Sequence, residues 1–302
     1  MRAVRQVLPD LPPFVPTVQP SQWLSQISLK AAAVPLRRVV SASGSSTLRG
    51  CDMRLKLHLS PQATLICIAF GKDQALENID PYRRQRMQEL AGLGFNLVTS
   101  LDYSSYDVHW PPDRLNNQIR NLISFELLQA AGAPAIPHLG WSNERDIERV
   151  ADWLWANPFV TMVAFDLQSP GAKESDWRDY LESLDRFRAR APALRYLVSG
   201  VSGRERLEQV RVRLGDVVFA NERAYQQANH GHEEFCVGGV TRSLRSTATK
   251  ADILENYVAY FEQLALGSSR PYEPVGTVYG VDLPVLSPRL SPGRSASAYP
   301  RS

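Results

Sequence analysis

Residues 64–70 read Thr-Leu-Ile-Cys-Ile-Ala-Phe, an apolar run that stops at Gly71. A charged segment follows, in which Met87, Leu90 and Leu93 recur at the spacing of one helical face. A continuous apolar run before an amphipathic segment is typical of a strand buried on both faces and of the helix that covers it. This stretch therefore predicts a strand-helix unit.

The same alternation continues as far as residue 221. The predicted strands cover residues 64–70, 95–101, 135–139, 159–167, 194–199 and 216–220. The predicted helices cover residues 82–93, 114–131, 144–155, 175–189, 204–214 and, beyond the alternation, 250–266. Six such strands favour a parallel β/α barrel of the TIM type, with a doubly wound open parallel sheet as the alternative fold.

A closed eight-stranded barrel needs two strands more than these six. Short apolar runs at residues 36–40, 53–59 and 235–240 are the candidates to supply them. Without them the predicted barrel is incomplete. Strands from these runs would bring Arg37, Lys56 or His232 to the rim of the barrel.

The domain organisation follows from composition along the chain. Residues 1–50 are rich in Pro, Gln and Ser, which predicts an irregular leader with one short helix over residues 21–33. Residues 51–267 form the predicted barrel-like domain. Residues 283–302, rich in Pro, Ser and Arg, form a predicted disordered tail.

Bulk composition indicates a globular protein of the cytoplasm. Hydrophobic residues make up 44% of the chain and charged residues 22%, which is ordinary for a soluble domain. No apolar run approaches the roughly 20 residues that cross a bilayer, and no secretory signal pattern opens the chain. The three cysteines lack disulfide or metal spacing, and Cys67 is predicted to be a small core residue.

Charge is distributed unevenly along the chain. Residues 1–58 carry eight Lys or Arg against two acids, and residues 283–302 carry three Arg against none, although the whole chain is only +3. Basic ends on an acidic body could bind nucleic acid. Solvated flexible ends explain the same pattern, because the basic residues are not clustered and no aromatic residues alternate with them.

Titratable side chains occur where the predicted strands end. In parallel β/α folds the loops that leave the carboxyl ends of the strands form the working face. Asp102 and Asp166 could divide general acid and general base roles there, and His138 could act as a base. The alternatives are that each Asp caps a turn or helix, and that His138 is only hydrogen bonded.

Other residues at these strand ends are candidate ligand-binding groups. They are Lys72, Ser104, Trp141, Gln168, Ser202 and Asn221. Lys72 could hold a phosphate or carboxylate, although a surface lysine explains it equally. Trp141 could stack on a ring. No dinucleotide, nucleophile-elbow or zincin motif is present, so the cofactor is unknown and no metal motif is identified. Asp102 and Asp166 could also bind a divalent cation, and His138 could be a metal ligand.

The order of these residues resembles a known family. The segments that carry the likeness are residues 70–73 (Phe-Gly-Lys-Asp), 102–104 (Asp-Tyr-Ser), 116–121, 132–137 with Trp141, and 198–202 (Val-Ser-Gly-Val-Ser). Over residues 65–225 the chain resembles the domain of unknown function family 4417 of bacterial and phage proteins. The resemblance implies a parallel β/α fold and assigns no activity or residue roles.

Two classes of function follow. The first is a hydrolase or lyase that acts on a small polar or nucleotide-like ligand at the carboxyl ends of the strands. The second is a non-catalytic protein of a plasmid, phage or defence system that binds nucleic acid through its basic ends. The sequence does not favour any particular oligomeric state.

Overall fold

The structure is a computed structural model that describes residues 8–41, 53–69, 73–103, 110–168, 174–237 and 240–278 of the chain. The predicted disordered tail, residues 283–302, lies outside these ranges. Within them, every helix is too short or too polar to span a lipid bilayer.

The fold is α/β, with two parallel sheets of four strands each. The strands are β1 (Phe14–Pro16), β2 (Ala31–Pro35), β3 (Thr64–Ile68), β4 (Leu97–Thr99), β5 (Ala135–Ile136), β6 (Met162–Asp166), β7 (Arg195–Ser199) and β8 (Val217–Asn221). One sheet has the order β2-β3-β4-β5 and the other β1-β8-β7-β6. All strand pairings within the two sheets are parallel.

Two isolated parallel bridges connect the sheets. Thr17, just after β1, is bridged to Ala33 of β2, and His138, just after β5, is bridged to Ala164 of β6. Backbone hydrogen bonds accompany both bridges: the amide of Val18 donates to the carbonyl of Ala33 at 2.8 Å, and the amide of Leu139 donates to that of Ala164 at 2.9 Å. The two sheets are therefore linked by two isolated bridges.

The strands bury both of their faces. Alternate residues along a strand point in opposite directions, and one set forms an apolar cluster with members from both sheets, among them Ala33, Ile66, Met162 and Val218. The other set, which includes Phe165, packs with the apolar faces of the helices in a larger cluster. Burial on both faces explains why the strands read as continuous apolar runs.

Nine helices lie in the described residues. They are α1 (Met53–Lys56), α2 (Asp73–Ile79), α3 (Arg83–Ala91), α4 (Pro111–Ala130), α5 (Glu144–Ala156), α6 (Glu174–Arg190), α7 (Arg204–Leu214), α8 (Arg223–His230) and α9 (Lys250–Ala265). Local sequence fixes their ends. The Asn143 side chain caps α5 by accepting from the Asp146 amide, and Thr249 and Asp252 form a capping box at α9.

The first two strands differ from the sequence predictions. Both β1 and β2 lie within residues 1–50, where an irregular leader was expected. The helix expected over residues 21–33 is a short 3-10 helix, Gln22–Gln26, that precedes β2. The candidate strands at residues 36–40 and 53–59 are also wrong, because they contain a 3-10 helix and α1.

The central six strands and the cysteine prediction are confirmed. Strands β3 to β8 fall inside or within one residue of the predicted runs. Cys67 is fully buried in β3, and burial raises the pKa of its thiol to about 12. The thiol is therefore a protonated core group.

A hairpin follows α8. Strands β9 (His232–Val237) and β10 (Val240–Arg245) pair antiparallel with each other and with no strand of the two sheets. Of the candidate strand at residues 235–240, the described residues 235–237 and 240 therefore belong to this hairpin and extend neither parallel sheet. Glu233 of β9 is fully buried, and both of its carboxylate oxygens accept hydrogen bonds.

Candidate active site

The carboxyl ends of β6, β7 and β8 bring polar side chains side by side. Asp166 lies opposite Ser199 in the parallel register, and Ser199 lies opposite Ala220, the neighbour of Asn221. Because the side-chain direction alternates along a strand, Asp166 and Ser199 continue the row of Ala164 and Leu197, which belong to the cluster shared by both sheets. These two polar residues therefore lie at the carboxyl end of the apolar cluster that the two sheets share.

A polar cavity of about 310 Å³ opens above these strand ends. Its lining comes from the ends of β1, β2, β3, β6, β7 and β8 and from the first residues of α8. The candidate catalytic residue Asp166 and the candidate ligand-binding residues Gln168, Ser202 and Asn221 line it. A cavity of this size matches the low end of small-molecule sites.

Asp166 is the carboxyl group of this cavity. Its Oδ2 accepts from the Ser199 hydroxyl at 2.5 Å, and its Oδ1 accepts from the Gln168 amide at 2.9 Å. Burial raises the pKa of Asp166 and outweighs these two hydrogen bonds, which lower it. A carboxyl group with a raised pKa can both accept and release a proton closer to neutral pH.

His138 and Asp102 form a second titratable unit beside it. His138 Nδ1 lies 3.1 Å from Asp102 Oδ1, and the histidine is 5% exposed. Burial lowers the pKa of His138, but the carboxylates of Asp102 and, to a smaller extent, Asp166 outweigh burial and raise it. His138 Nε2 has no hydrogen-bond partner among the described residues. The contact at Nδ1 is therefore an ion pair with Asp102 that lacks hydrogen-bond geometry, and neither ring nitrogen has a hydrogen bond among the described residues.

Side chains of α4 hold the segment that carries Asp102. The amide of Leu101 donates to the Ser124 hydroxyl at 2.9 Å, and the amide of Tyr103 donates to Asn121 Oδ1 at 2.7 Å. Asp102 thus lies between two backbone positions that are fixed to the same helix. On the histidine side, the amide of His138 donates to the Ser100 hydroxyl at 2.7 Å.

Charged groups pair at the opposite rim of the cavity. Arg37, just after β2, forms an ion pair with Glu222, and Arg223 forms one with Glu234 of β9. Both arginines line the cavity. Because each arginine is paired with a carboxylate, the rim offers hydrogen-bond donors but carries little net charge. Such a rim suits a polar ligand better than a highly charged one.

Gly200 allows the loops after β6 and β7 to touch. Its φ is +82°, and a Cβ placed there would lie 2.4 Å from the backbone nitrogen of Gln168. Side chains other than glycine are strained in this conformation and would collide with that backbone. The contact packs the loop after β7 against the turn that donates to Asp166.

The predicted ligand-binding residues divide into three groups. Gln168, Ser202 and Asn221 line the polar cavity, although the Asn221 side chain also binds backbone, donating to the Val201 carbonyl at 2.9 Å and accepting from the Arg223 amide at 3.1 Å. Lys72 and Ser104 lie outside the described residues. Trp141 needs a correction.

Trp141 is a core residue and not a surface for stacking a ligand. Its indole stacks on Tyr180 and Phe187, with ring centroids 5.7 and 4.8 Å away, and is 8% exposed. Its Nε1 donates to the Ser183 hydroxyl at 2.8 Å. The residue follows β5 closely enough for its ring to turn back under α6, which sequence position alone does not reveal.

Thr17 and Arg223 also line the cavity, and the sequence did not predict either of them. Thr17 follows β1, which was not predicted as a strand, and Arg223 belongs to a helix that was not predicted. Arg37 was expected at the rim and lines the cavity, although it follows β2 rather than a strand at residues 36–40. The strand-end rule would have found Thr17 if β1 had been recognised.

The arrangement can transfer protons between two titratable units, Asp166 and the Asp102–His138 pair. Among the residues that the structure describes, no group of three His, Cys, Asp or Glu side chains is placed to hold a metal ion. No protein-family model matches the chain, and no curated protein matches it either. The resemblance to the domain of unknown function family 4417 therefore stays a prediction.

Proposed function

We propose that this protein is an acid–base enzyme, a hydrolase or a lyase, whose site lies at the carboxyl ends of a closed eight-stranded parallel β/α barrel. The observation that carries the proposal is the position of Asp166. It is a partly buried carboxyl group with a raised pKa that lines a polar cavity next to the Asp102–His138 pair. Coupled groups of this kind are concentrated at catalytic sites.

Closure of the barrel is supported by the two bridges between the sheets. With the Thr17–Ala33 and His138–Ala164 bridges, every strand from β1 to β8 has a neighbour on each side in chain order, and β8 pairs with β1. The apolar cluster shared by both sheets fits the filled interior of such a barrel. A doubly wound open sheet would leave two edge strands.

The chemistry follows from the two pKa directions. Asp166 accepts the proton of an attacking water in a hydrolase, or a proton from carbon in a lyase. His138, kept protonated by Asp102, donates its Nε2 proton to the leaving group. General acid–base groups contribute about 10² to 10⁴ in rate each, so both residues are expected to matter strongly.

The ligand is proposed to be small and polar or nucleotide-like. The cavity offers the Gln168 amide group, the Ser202 hydroxyl and the guanidinium groups of Arg37 and Arg223 as hydrogen-bonding partners. Hydroxyl-rich and base-like molecules match such a mixed set of donors and acceptors. A cytoplasmic location remains part of the same proposal.

The test is turnover of a panel of nucleosides, nucleoside monophosphates and sugar lactones, followed by proton NMR. A converted compound is expected to react at least about 10²-fold more slowly with Asp166→Asn and His138→Gln. Asp152→Asn, which replaces an exposed acid on α5, is the control and keeps full activity. Unchanged turnover by Asp166→Asn would contradict the proposal, and so would a compound that binds in the cavity and stays intact.

The nucleic-acid alternative is less well supported. Two of its basic residues are engaged with the body of the protein, since Arg37 pairs with Glu222 and Arg54 binds Asn96. Retention of the protein on DNA that falls steeply with salt would favour this alternative. Retention that does not depend on salt would remove it.

A further inference from the structure

A second cavity of about 280 Å³ lies between α4 and α5, beside the connection that follows β5. Its walls are largely apolar: Leu115, Ile119 and Leu122 of α4 face Val150 and Trp153 of α5. We name this cavity the α4–α5 groove. The polar cavity described above shares no lining residue with this groove.

His138 connects the α4–α5 groove to the acid–base centre. It lines the groove, and its backbone is bridged to Ala164, which lies two residues before Asp166 on β6. Asp166 in turn lines the polar cavity. The two cavities therefore adjoin the same pair of titratable groups, one through His138 and the other through Asp166.

The entrance of the groove is apolar as well. Leu115 and Ile119 lie one turn apart on α4 and are 37% and 45% exposed. Trp153 is partly exposed and packs edge-on against Phe125, with ring centroids 6.1 Å apart. An apolar entrance with an aromatic wall favours a planar or branched apolar group, whose transfer from water is favourable by roughly 25 cal/mol per Å².

We propose that the α4–α5 groove binds an aromatic or branched aliphatic group of the ligand whose polar part occupies the cavity beside Asp166. This inference rests on the proposed acid–base function and narrows its substrate class to amphipathic molecules. The bond of such a molecule that reacts lies between its apolar and polar parts, next to His138 and Asp166.

A small molecule fits the groove better than a second copy of the chain. The groove is concave, and its base carries a buried histidine whose Nε2 has no partner among the described residues. A buried donor without a partner is unfavourable, and a ligand acceptor that reaches the base of the groove would satisfy it. A flat protein surface would cover the entrance and leave Nε2 unchanged.

The experiment is an NMR titration of the full chain with benzyl alcohol, with inositol as the polar comparison. The indole signal of Trp153, assigned with Trp153→Phe, and the ring signals of His138 are followed together. Benzyl alcohol is expected to shift both sets of signals along one saturable curve, and inositol is expected to leave Trp153 unchanged. Ile119→Glu is expected to weaken the benzyl alcohol affinity about tenfold, a change of 1.4 kcal/mol.

The control variant is Val212→Glu, which places the same charge at an exposed apolar position of α7. It is expected to bind benzyl alcohol like the wild type. A silent Trp153 signal would overturn the proposal. A Trp153 response without any His138 response would separate the groove from the acid–base centre and overturn the link.

Two further results bear on what covers the groove and on whether it serves catalysis. If Ile119→Glu converts a dimer into a monomer in sedimentation, a second copy covers the groove and the proposal is wrong. Failure of the acid–base function is detected independently, as unchanged turnover by Asp166→Asn with the Trp153 response intact. That result would leave the groove as an apolar binding site and remove its role in catalysis.

Discussion

The protons of Asp166, which is partly buried, and His138, which is buried, influence each other through their charges. Burial is the largest contribution to the raised pKa of Asp166, and the charge of His138 opposes it. Deprotonation of Asp166 stabilises the imidazolium, and protonation of His138 favours the Asp166 carboxylate. The site therefore titrates as one unit with two apparent pKa values.

Replacement of Asp166 by Asn is expected to stabilise the folded protein at pH 7.5. Because the folded-state pKa of Asp166 is raised, its contribution to stability is present below the ordinary pKa of Asp and is lost as pH rises through the folded-state value. Asn cannot ionise, so the gain in the free energy of unfolding over the wild type should shrink toward pH 4. Urea unfolding at several pH values measures the difference.

The matched control for this effect is Asp152→Asn. Asp152 is an exposed acid on α5, so its replacement removes the same charge without relieving burial. Its stability is expected to follow that of the wild type at all pH values. An Asp166→Asn variant that is less stable than the wild type at pH 7.5 would show that the carboxylate is stabilising there.

Gly200→Ala is expected to destabilise the protein by at least about 1 to 3 kcal/mol, the cost of a strained left-handed residue. The added Cβ would also meet the backbone of Gln168 at 2.4 Å, which should push the two loops apart. Gly203→Ala in the same loop is the control, because nothing lies within 4 Å of a Cβ there. Urea unfolding that gives equal stabilities for the two variants would refute the close approach.

At the level of single residues, the sequence predicted which groups stand at strand ends but not which groups meet. Asp102, His138 and Asp166 were all identified by that rule. The 3.1 Å contact between Asp102 and His138 depends on how far two loops turn after different strands. Such turns depend on hydrogen bonds from α4, which no local pattern in the sequence records.

Among the elements, the hairpin and the segment that follows α9 are connected by one carboxylate. Glu233 accepts from the Ser246 and Tyr272 hydroxyls and from the amides of Val275 and Gly276. Burial raises the pKa of Glu233, but these hydrogen bonds outweigh burial and lower it. Its contribution to stability is therefore present above the ordinary pKa of Glu and is lost as pH falls through the folded-state value.

Glu233→Gln is expected to destabilise the protein by about 1 to 3 kcal/mol. The amide nitrogen of Gln would face backbone amides, which can only donate, or hydroxyls that already donate to this site, so donors would meet donors. Hydrogen exchange of the Val275 and Gly276 amides should accelerate. Glu255→Gln, an exposed change on α9, should alter neither. Unchanged exchange at residues 275 and 276 would mean that other contacts hold this segment.

The elements that the sequence failed to predict share a physical cause. Strand β1 has only three residues, too few for a periodic signal. Strand β2 begins with three alanines, which favour a helix by intrinsic propensity. Ala31 and Ala33 face the cluster between the sheets, where space limits side-chain size, so tertiary packing overrides that propensity.

For the whole molecule, the proposed closure of the barrel predicts that the two sheets unfold as one unit. Ile66 and Met162 come from different sheets and are fully buried in the shared cluster. Ile66→Ala and Met162→Ala are each expected to cost about 2 to 5 kcal/mol. Both should shift one common transition, followed by tryptophan fluorescence and by far-ultraviolet circular dichroism.

The exposed substitution Val212→Ala serves as the reference and should change stability by less than about 0.5 kcal/mol. Two transitions, with each variant shifting only one of them, would mean that the sheets unfold separately. That result would argue against closure through the Thr17 and His138 bridges.

The pairing of β1 with β8 also has a consequence for synthesis of the chain. Phe14 is paired with Phe219, so translation at roughly 5 to 20 residues per second separates the two partners by about 10 to 40 s. During that interval β1 has no sheet partner on the side that β8 later fills. The three apolar residues of β1 therefore emerge from the ribosome long before their partner strand is synthesised. Until residue 221 emerges, contact with β2 or with a chaperone is needed to keep them from water.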